Sequence, residues 1–322
     1  MTRFTPPRLL RNRHLQSILA STGPRKLLIK QQARQLRAHS TTELLHCSDG
    51  VRLQGEYAAH QQPAKALVIM IHGWEGSSDS LYLQSAGATL FAAGFDIFRL
   101  NLRDHGPTHH LNKALFNSTL LQEVYDAIAL VQSKYPHQKN YLLGFSLGGN
   151  FALRACADED QQGFKLDHTV AICPVINPAN TMQNLNDNAA LYHYYFRRKW
   201  AKSLKKKLQY YPELDYSEQL RGLVTLQQMN DYFVPRHTHY KNSHQYLMGY
   251  AVTADRLASV SSPCHIISSE DDPVIAAADL EQICHNDNIS IELTQYGGHC
   301  GYIKNYRLDS WVDQRLVSIF TA

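Results

Sequence analysis

The stretch Asn140-Tyr-Leu-Leu-Gly-Phe-Ser-Leu-Gly-Gly-Asn150 decides how this chain is read. Tyr141 to Leu143 is a β-rich apolar run, and Asn150-Phe-Ala-Leu-Arg-Ala-Cys156 suits a helix. Between them, Gly144, Ser146 and Gly148 spell G-x-S-x-G. Where that pattern joins a strand to a helix, the turn is so sharp that the serine backbone is strained and side chains two residues away would collide. The glycines remove those side chains, and Gly149 eases the packing of helix on strand. The serine oxygen then stands clear at the sheet edge, above a helix N-terminus that favours negative charge. Ser146 is therefore expected to be a nucleophile if the chain supplies a base and an acid.

Outward from this motif, strands and helices alternate. Upstream, Glu43 to Ser48 and Val51 to Tyr57 read as a hairpin turning at Asp49-Gly50. Ala66-Leu-Val-Ile-Met-Ile71 and Phe95-Asp-Ile-Phe-Arg-Leu100 read as buried strands, with helices at Asp79 to Ala93 and Ser118 to Lys134. Downstream come a strand at His168 to Cys173, a strand at Cys264 to Ser269, a helix around Ala276 to His285, a strand at Ile289 to Thr294 and a last helix near Tyr306 to Phe320. The alternation implies an α/β fold, a mostly parallel central sheet flanked by helices. The rhythm breaks after Pro174, and residues 175–260 read as a helical cap insertion. The division expected is an N-terminal arm over 1–40 packed on the core, a core formed by 41–174 and 261–322, and the cap.

At 322 residues the chain can bury a substantial core. A net charge of +4 does not mark a dedicated nucleic-acid binder. The six cysteines are scattered, with no C-x-x-C pair, and suit buried thiols in a reducing compartment. The opening Met1-Thr-Arg-Phe-Thr-Pro-Pro7 is polar, and no apolar run approaches membrane-spanning length, so a cytoplasmic protein is expected. No cluster has metal-ligand spacing: His237-x-His239 and His109-His110 stand isolated, and no metal or cofactor is expected.

In open α/β sheets functional groups gather at the C-terminal ends of strands, so the partners of Ser146 are sought there. Glu270-Asp271-Asp272-Pro273 follows one late strand, and Gly297-Gly298-His299-Cys300-Gly301 follows the last. The order is serine, acid, histidine, with a long first gap that a cap insertion would produce. His299 is the candidate base, since its glycine neighbours let the loop bring the imidazole back over the serine. Asp272 and Asp271 compete for the acid, and Asp272 is taken because the turn before Pro273 points it toward the histidine. An oxyanion hole needs two backbone N–H groups, one after the nucleophile and one from an early strand end. Leu147 and Trp74, in His72-Gly73-Trp74, are assigned to it. His72 is read as holding that loop; Asp104 and His105 could form a second acid–base pair, but Arg103-Asp104-His105-Gly106 is read as a structural turn near the pocket.

Together His72-Gly73, Arg103-Asp104-His105-Gly106, Gly144-Phe-Ser-Leu-Gly-Gly-Asn150, Asp271-Asp272-Pro273 and Gly298-His299 resemble the α/β-hydrolase superfamily. The pattern is most similar to its YheT-like esterase branch, related to the ABHD-type acyl hydrolases. Asn12-Arg-His14-Leu-Gln16 is similar to a segment that branch carries ahead of its core. The resemblance covers nearly the whole chain, most weakly over 175–260. It implies a Ser146–Asp272–His299 triad and cofactor-free hydrolysis of short-chain or lipid-like carboxylic esters. One departure, Ala276 where a proline often follows the acid loop, keeps Asp271 in contention. Acyl transfer, thioester hydrolysis or amide hydrolysis could use the same groups, and a non-catalytic binding module could use the same fold.

Arg197-Arg-Lys-Trp-Ala-Lys-Ser-Leu-Lys-Lys-Lys207 is the densest basic run, and Tyr192, Phe196, Trp200, Leu204 and Leu208 recur every four residues. Two readings compete: a peripheral contact with an anionic membrane, or a stripe packed over the pocket with its lysines in solvent. The second is taken, since such stripes are usually core.

Overall fold

Eight strands share one sheet in a computed structural model that describes residues 4–322. Met1 to Arg3, which begin the polar opening, lie outside the described residues. The strands are β1 (Ser40–His46), β2 (Arg52–Ala58), β3 (Leu67–Ile71), β4 (Asp96–Asn101), β5 (Asn140–Phe145), β6 (His168–Ile172), β7 (Cys264–Ser269) and β8 (Ile289–Thr294). Their order is β1-β2-β4-β3-β5-β6-β7-β8. From β4 to β8 every pairing is parallel, and only the β1–β2 hairpin and its join to β4 are antiparallel. The hairpin turns as its sequence demands, with Asp49 and Gly50 both at positive φ.

Composition explains the layering. Every residue of β3 and β4 is buried, as expected of strands covered on both faces. Edge strands β1 and β8 instead leave all but one position each exposed or half-buried. Among the described residues, twelve α-helices cover the sheet. Helices α1 (Arg13–Ser21), α2 (Arg25–Gln32) and α3 (Arg34–Ala38) precede it, and Ile29, Ala33 and Leu36 join the same apolar cluster as α4 (Leu81–Ala92). α5 (Gln122–Lys134) and α6 (Leu147–Gln162) follow β4 and β5. Five helices separate β6 from β7: α7 (Pro178–Asp187), α8 (Ala190–Tyr210), α9 (Ser217–Gly222), α10 (Leu226–His237) and α11 (Ser243–Met248). They hold a cluster of their own around Leu204, Tyr216, Met229 and Phe233. α12 (Trp311–Phe320) closes the chain. Among the described residues no helix is long and apolar enough to cross a membrane.

Three elements differ from the sequence reading. The helix expected over Ala276 to His285 is a 3-10 segment, Ala277–Gln282. Asn180 of the Pro178–Asp187 helix donates to Asp279 at 2.7 Å, and a β-bridge ties Ile283 to Ala254, so tethers to other segments replace helical continuation. The last helix starts at Trp311 and not near Tyr306, because an Ile303–Ser310 bridge and Leu308 at positive φ occupy the preceding turn. α8 does carry its apolar stripe inward, but its lysines are not all in solvent: Lys207 is buried against Asp104.

Candidate active site

The turn at Ser146 has the strain its glycines foretell. Ser146 has φ 54° and ψ −118°, a region side-chain-bearing residues seldom occupy. Its N–H donates to the Ile172 carbonyl at 2.8 Å, and its carbonyl accepts from Asn150 N at 3.1 Å. A Cβ on Gly144 would strike the Gly148 carbonyl, and one on Gly148 would strike the carbonyls of Ile71 and His72. The elbow is thus wedged against the end of β3, and Gly73 approaches so closely that a Cβ there would lie 3.1 Å from that of Ser146.

Three separate strand ends converge here. His299 Nε2 lies 2.9 Å from Ser146 Oγ, and His299 Nδ1 lies 2.8 Å from Asp272 Oδ2. The other Asp272 oxygen accepts from Val274 N at 2.7 Å and Ile275 N at 3.0 Å, so the turn after β7 aims the carboxylate. Asp271 does not touch the imidazole. It accepts instead from Gly298 N at 2.8 Å and so supports the histidine loop. Burial works against a charge on His299, but the charge of Asp272 and its hydrogen bond outweigh it and raise the imidazole above its ordinary value.

Trp74 and Leu147 flank Ser146 in one cavity. Leu147 opens α6, so its N–H has no acceptor within the helix. Among the described residues no acceptor takes the Trp74 N–H, while its neighbours are fixed. Gly73 N donates to Tyr82 Oη at 2.9 Å, and Glu75 N donates to His105 Nε2 at 3.0 Å. His72 Nδ1 pairs with the Gly73 carbonyl at 2.7 Å, and its Nε2 accepts from Leu102 N at 3.1 Å, the loop-holding part read for it. His105 likewise donates from Nδ1 to the Arg103 carbonyl at 2.7 Å. Burial lowers His72 well below its usual value and His105 to about 4, so both stay neutral and keep these tautomers.

Two cavities meet at the serine. One, about 710 Å³ with its mouth, is lined by Leu147, Val175, Met182, Leu185, Trp200 and Ile275 among other apolar groups. Trp74 lies at its rim, stacked on Phe196 at 5.4 Å and edge-on to Trp200 at 5.5 Å, which explains the aromatic stripe of α8. The second, about 1260 Å³ with open solvent, is polar and is bordered by Lys26, Ser80, Lys199 and His299.

Sequence reasoning missed three supports, Ser17, Gln16 and Tyr82, and read the turn that carries His105 as structural. Ser17 Oγ accepts from His299 N at 2.8 Å, and Gln16 bonds both the N–H and carbonyl of Ile303, at 2.6 and 3.0 Å. Tyr82 and His105 hold the Trp74 loop. Asn12-Arg-His14-Leu-Gln16 was the one available signal for the first pair. The fold brings one ligand atom each of Cys173, His299 and Cys300 within 4.8 Å of one another, a grouping that no spacing in the sequence shows.

Against known proteins, residues 62–297 match the family model described as serine aminopeptidase, S33. A monoacylglycerol lipase of Saccharomyces cerevisiae is 21% identical over 265 residues, 79% of this chain but only 58% of the relative's length. An abhydrolase domain-containing protein of Dictyostelium discoideum is 21% identical over 332 residues, covering 99% of this chain and 81% of the relative. Among solved structures, an esterase of Pyrococcus furiosus superposes with a TM-score of 0.59 at 15% identity, covering 98% of each chain. A 2,6-dihydroxy-pseudo-oxynicotine hydrolase superposes at 0.58 with 16% identity, covering 92% of this chain and 74% of its own. These likenesses fix the fold as that of the α/β hydrolases.

Proposed function

The chain belongs to the serine aminopeptidase S33 family of α/β hydrolases, and on that premise we propose that it hydrolyses carboxylic esters through an acyl-enzyme on Ser146. The observation that carries this reading is the unbroken chain from Ser146 Oγ through His299 to Asp272, opening on an apolar cavity. His299 takes the hydroxyl proton as Ser146 attacks the ester carbonyl, and Asp272 compensates the imidazolium. The Trp74 and Leu147 amides bind the tetrahedral oxyanion. His299 then gives its proton to the leaving alcohol, and water releases the acyl group with His299 again as base. The acyl part lies in the apolar cavity, so helices α7–α11 act as the cap that selects substrate. The name of one relative, a monoacylglycerol lipase, agrees with ester hydrolysis on an acyl group.

The test is a p-nitrophenyl ester series, from two-carbon to long acyl chains, with native protein and Ser146→Ala. Activity that disappears in the variant, with fluorophosphonate labelling of Ser146, is the expected result. Folded protein that neither turns over an ester nor takes the label would overturn the reading. The family description favours amide hydrolysis as the second reading, so aminoacyl p-nitroanilides belong in the same plate. Turnover of those anilides above the esters would move it to first place.

A further inference from the structure

Two thiols meet beside His299. Cys173 follows β6 and Cys300 follows His299, and both hold positive φ, 44° and 59°. That backbone disfavours side-chain-bearing residues, and here it turns two cysteines from distant segments toward each other. Cys173 Sγ accepts from Cys300 N at 3.4 Å and lies 3.4 Å from Tyr302 Oη. Both thiols are free and buried.

The two sulfurs and a ring nitrogen of His299 all lie within 4.8 Å of one another. A tetrahedral zinc site with Zn–S about 2.3 Å and Zn–N about 2.0 Å spaces its ligands about 3.5–3.8 Å apart. The three groups therefore reach that geometry by closing in about 1 Å. The donor set, two thiolates and an imidazole, selects zinc or another thiophilic cation over magnesium or calcium. His299 and Cys300 line the polar cavity, which would supply water as fourth ligand, whereas Cys173 is fully buried.

We infer that Cys173, Cys300 and His299 form a latent site for a thiophilic divalent cation, and that filling it switches the hydrolase off. The inhibitory half rests on the ester-hydrolase reading above. Binding exchanges two thiol protons for the metal and releases them to water, while His299 joins as neutral imidazole. Whichever ring nitrogen takes the metal, His299 loses either Asp272 or Ser146, since Nδ1 and Nε2 hold those two partners.

The test titrates the reduced full chain with cadmium and follows the ultraviolet thiolate-to-metal charge-transfer band, beside fluorophosphonate labelling of Ser146. Native protein is expected to develop the band and to lose labelling, with labelling restored by a chelator. Cys173→Ser and Cys300→Ser keep a polar group of similar size; circular dichroism checks their fold. Each is expected to bind cadmium about 100-fold or more weakly and to label in its presence. His285→Ala, at an exposed position, is expected to behave as native. Absence of the band in native protein, serine variants that bind as tightly as native, or full labelling of the metal-loaded protein would each overturn the inference. If folded protein takes no label without metal, the hydrolase reading fails on its own, and the band and its loss in the serine variants decide the site.

Discussion

Replacing Lys207 with methionine should be the most damaging single change in α8. Lys207 is 1% exposed, and its ammonium lies 2.6 Å from Asp104, whose side chain is 8% exposed. The ammonium also donates to the Asn112 carbonyl and, at 3.4 Å, to that of Ala114. Asp104 Oδ2 in turn accepts from Phe116 N at 2.9 Å. Burial raises the Asp104 carboxyl and lowers the Lys207 ammonium, so each charge is held by the other. Methionine keeps the aliphatic stem but leaves a buried carboxylate and two carbonyls without their donor. Breaking one side of such a pair costs about 3–5 kcal/mol. With a urea slope of about 3 kcal/mol per molar, the unfolding midpoint falls by about 1–1.7 M. The assay is urea unfolding at pH 7 followed by circular dichroism. The double variant Lys207→Met/Asp104→Asn removes both charges, keeps an acceptor for Phe116 N, and should recover at least half the loss. A single-variant midpoint shift below about 0.3 M, or a double variant less stable than the single, would refute this account of how α8 is fastened to the loop that follows β4.

Three further outcomes follow from the site. Asp272 raises the His299 pKa, and the base must be neutral, so kcat/KM should fall as pH drops through a value above 6.5. Asp272→Asn should move that acid limb to lower pH and cut the plateau about 10⁴-fold, whereas a native limb below pH 6.5 would contradict the coupling. Gly148→Ala drives a methyl into the carbonyls of Ile71 and His72, and a stability loss of about 3 kcal/mol in the same urea assay is expected. Met182→Trp narrows the apolar cavity, so long-chain p-nitrophenyl esters should lose turnover while two-carbon esters keep it; equal loss across the series would remove the cavity as acyl site.

The buried strands were legible because they are continuous apolar runs, and the elbow because its glycines answer a steric demand that a linear pattern records. The turn before Pro273 is the sequence's only ground for Asp272 over Asp271, and the structure gives the two neighbours different partners. What the sequence hid is contact between segments far apart in the chain. Lys207 sits in a run of lysines, and nothing in that run distinguishes the one that turns inward to Asp104. The 3-10 segment at Ala277–Gln282 is composed like a helix, and the tether from Asn180 to Asp279 and the Ala254–Ile283 bridge shorten it.

The same reasoning explains why the histidine loop is so rich in glycine. Local flexibility alone does not account for Gly298. A Cβ on Gly298 would strike the Arg13 carbonyl, and one on Gly301 would lie 2.6 Å from the Gln16 carbonyl, so α1 is packed directly on the loop. Ser17 then fixes His299 N, and Gln16 clamps Ile303 from both sides. The glycines are thus the shape complement of the N-terminal helix, and the segment Asn12 to Gln16 braces the proposed base from outside the sheet. A loop held only by its own turn would leave the imidazole free to swing. Held by α1 on one side and by Asp271 and Asp272 on the other, His299 stands within hydrogen-bond reach of Ser146 before any substrate arrives.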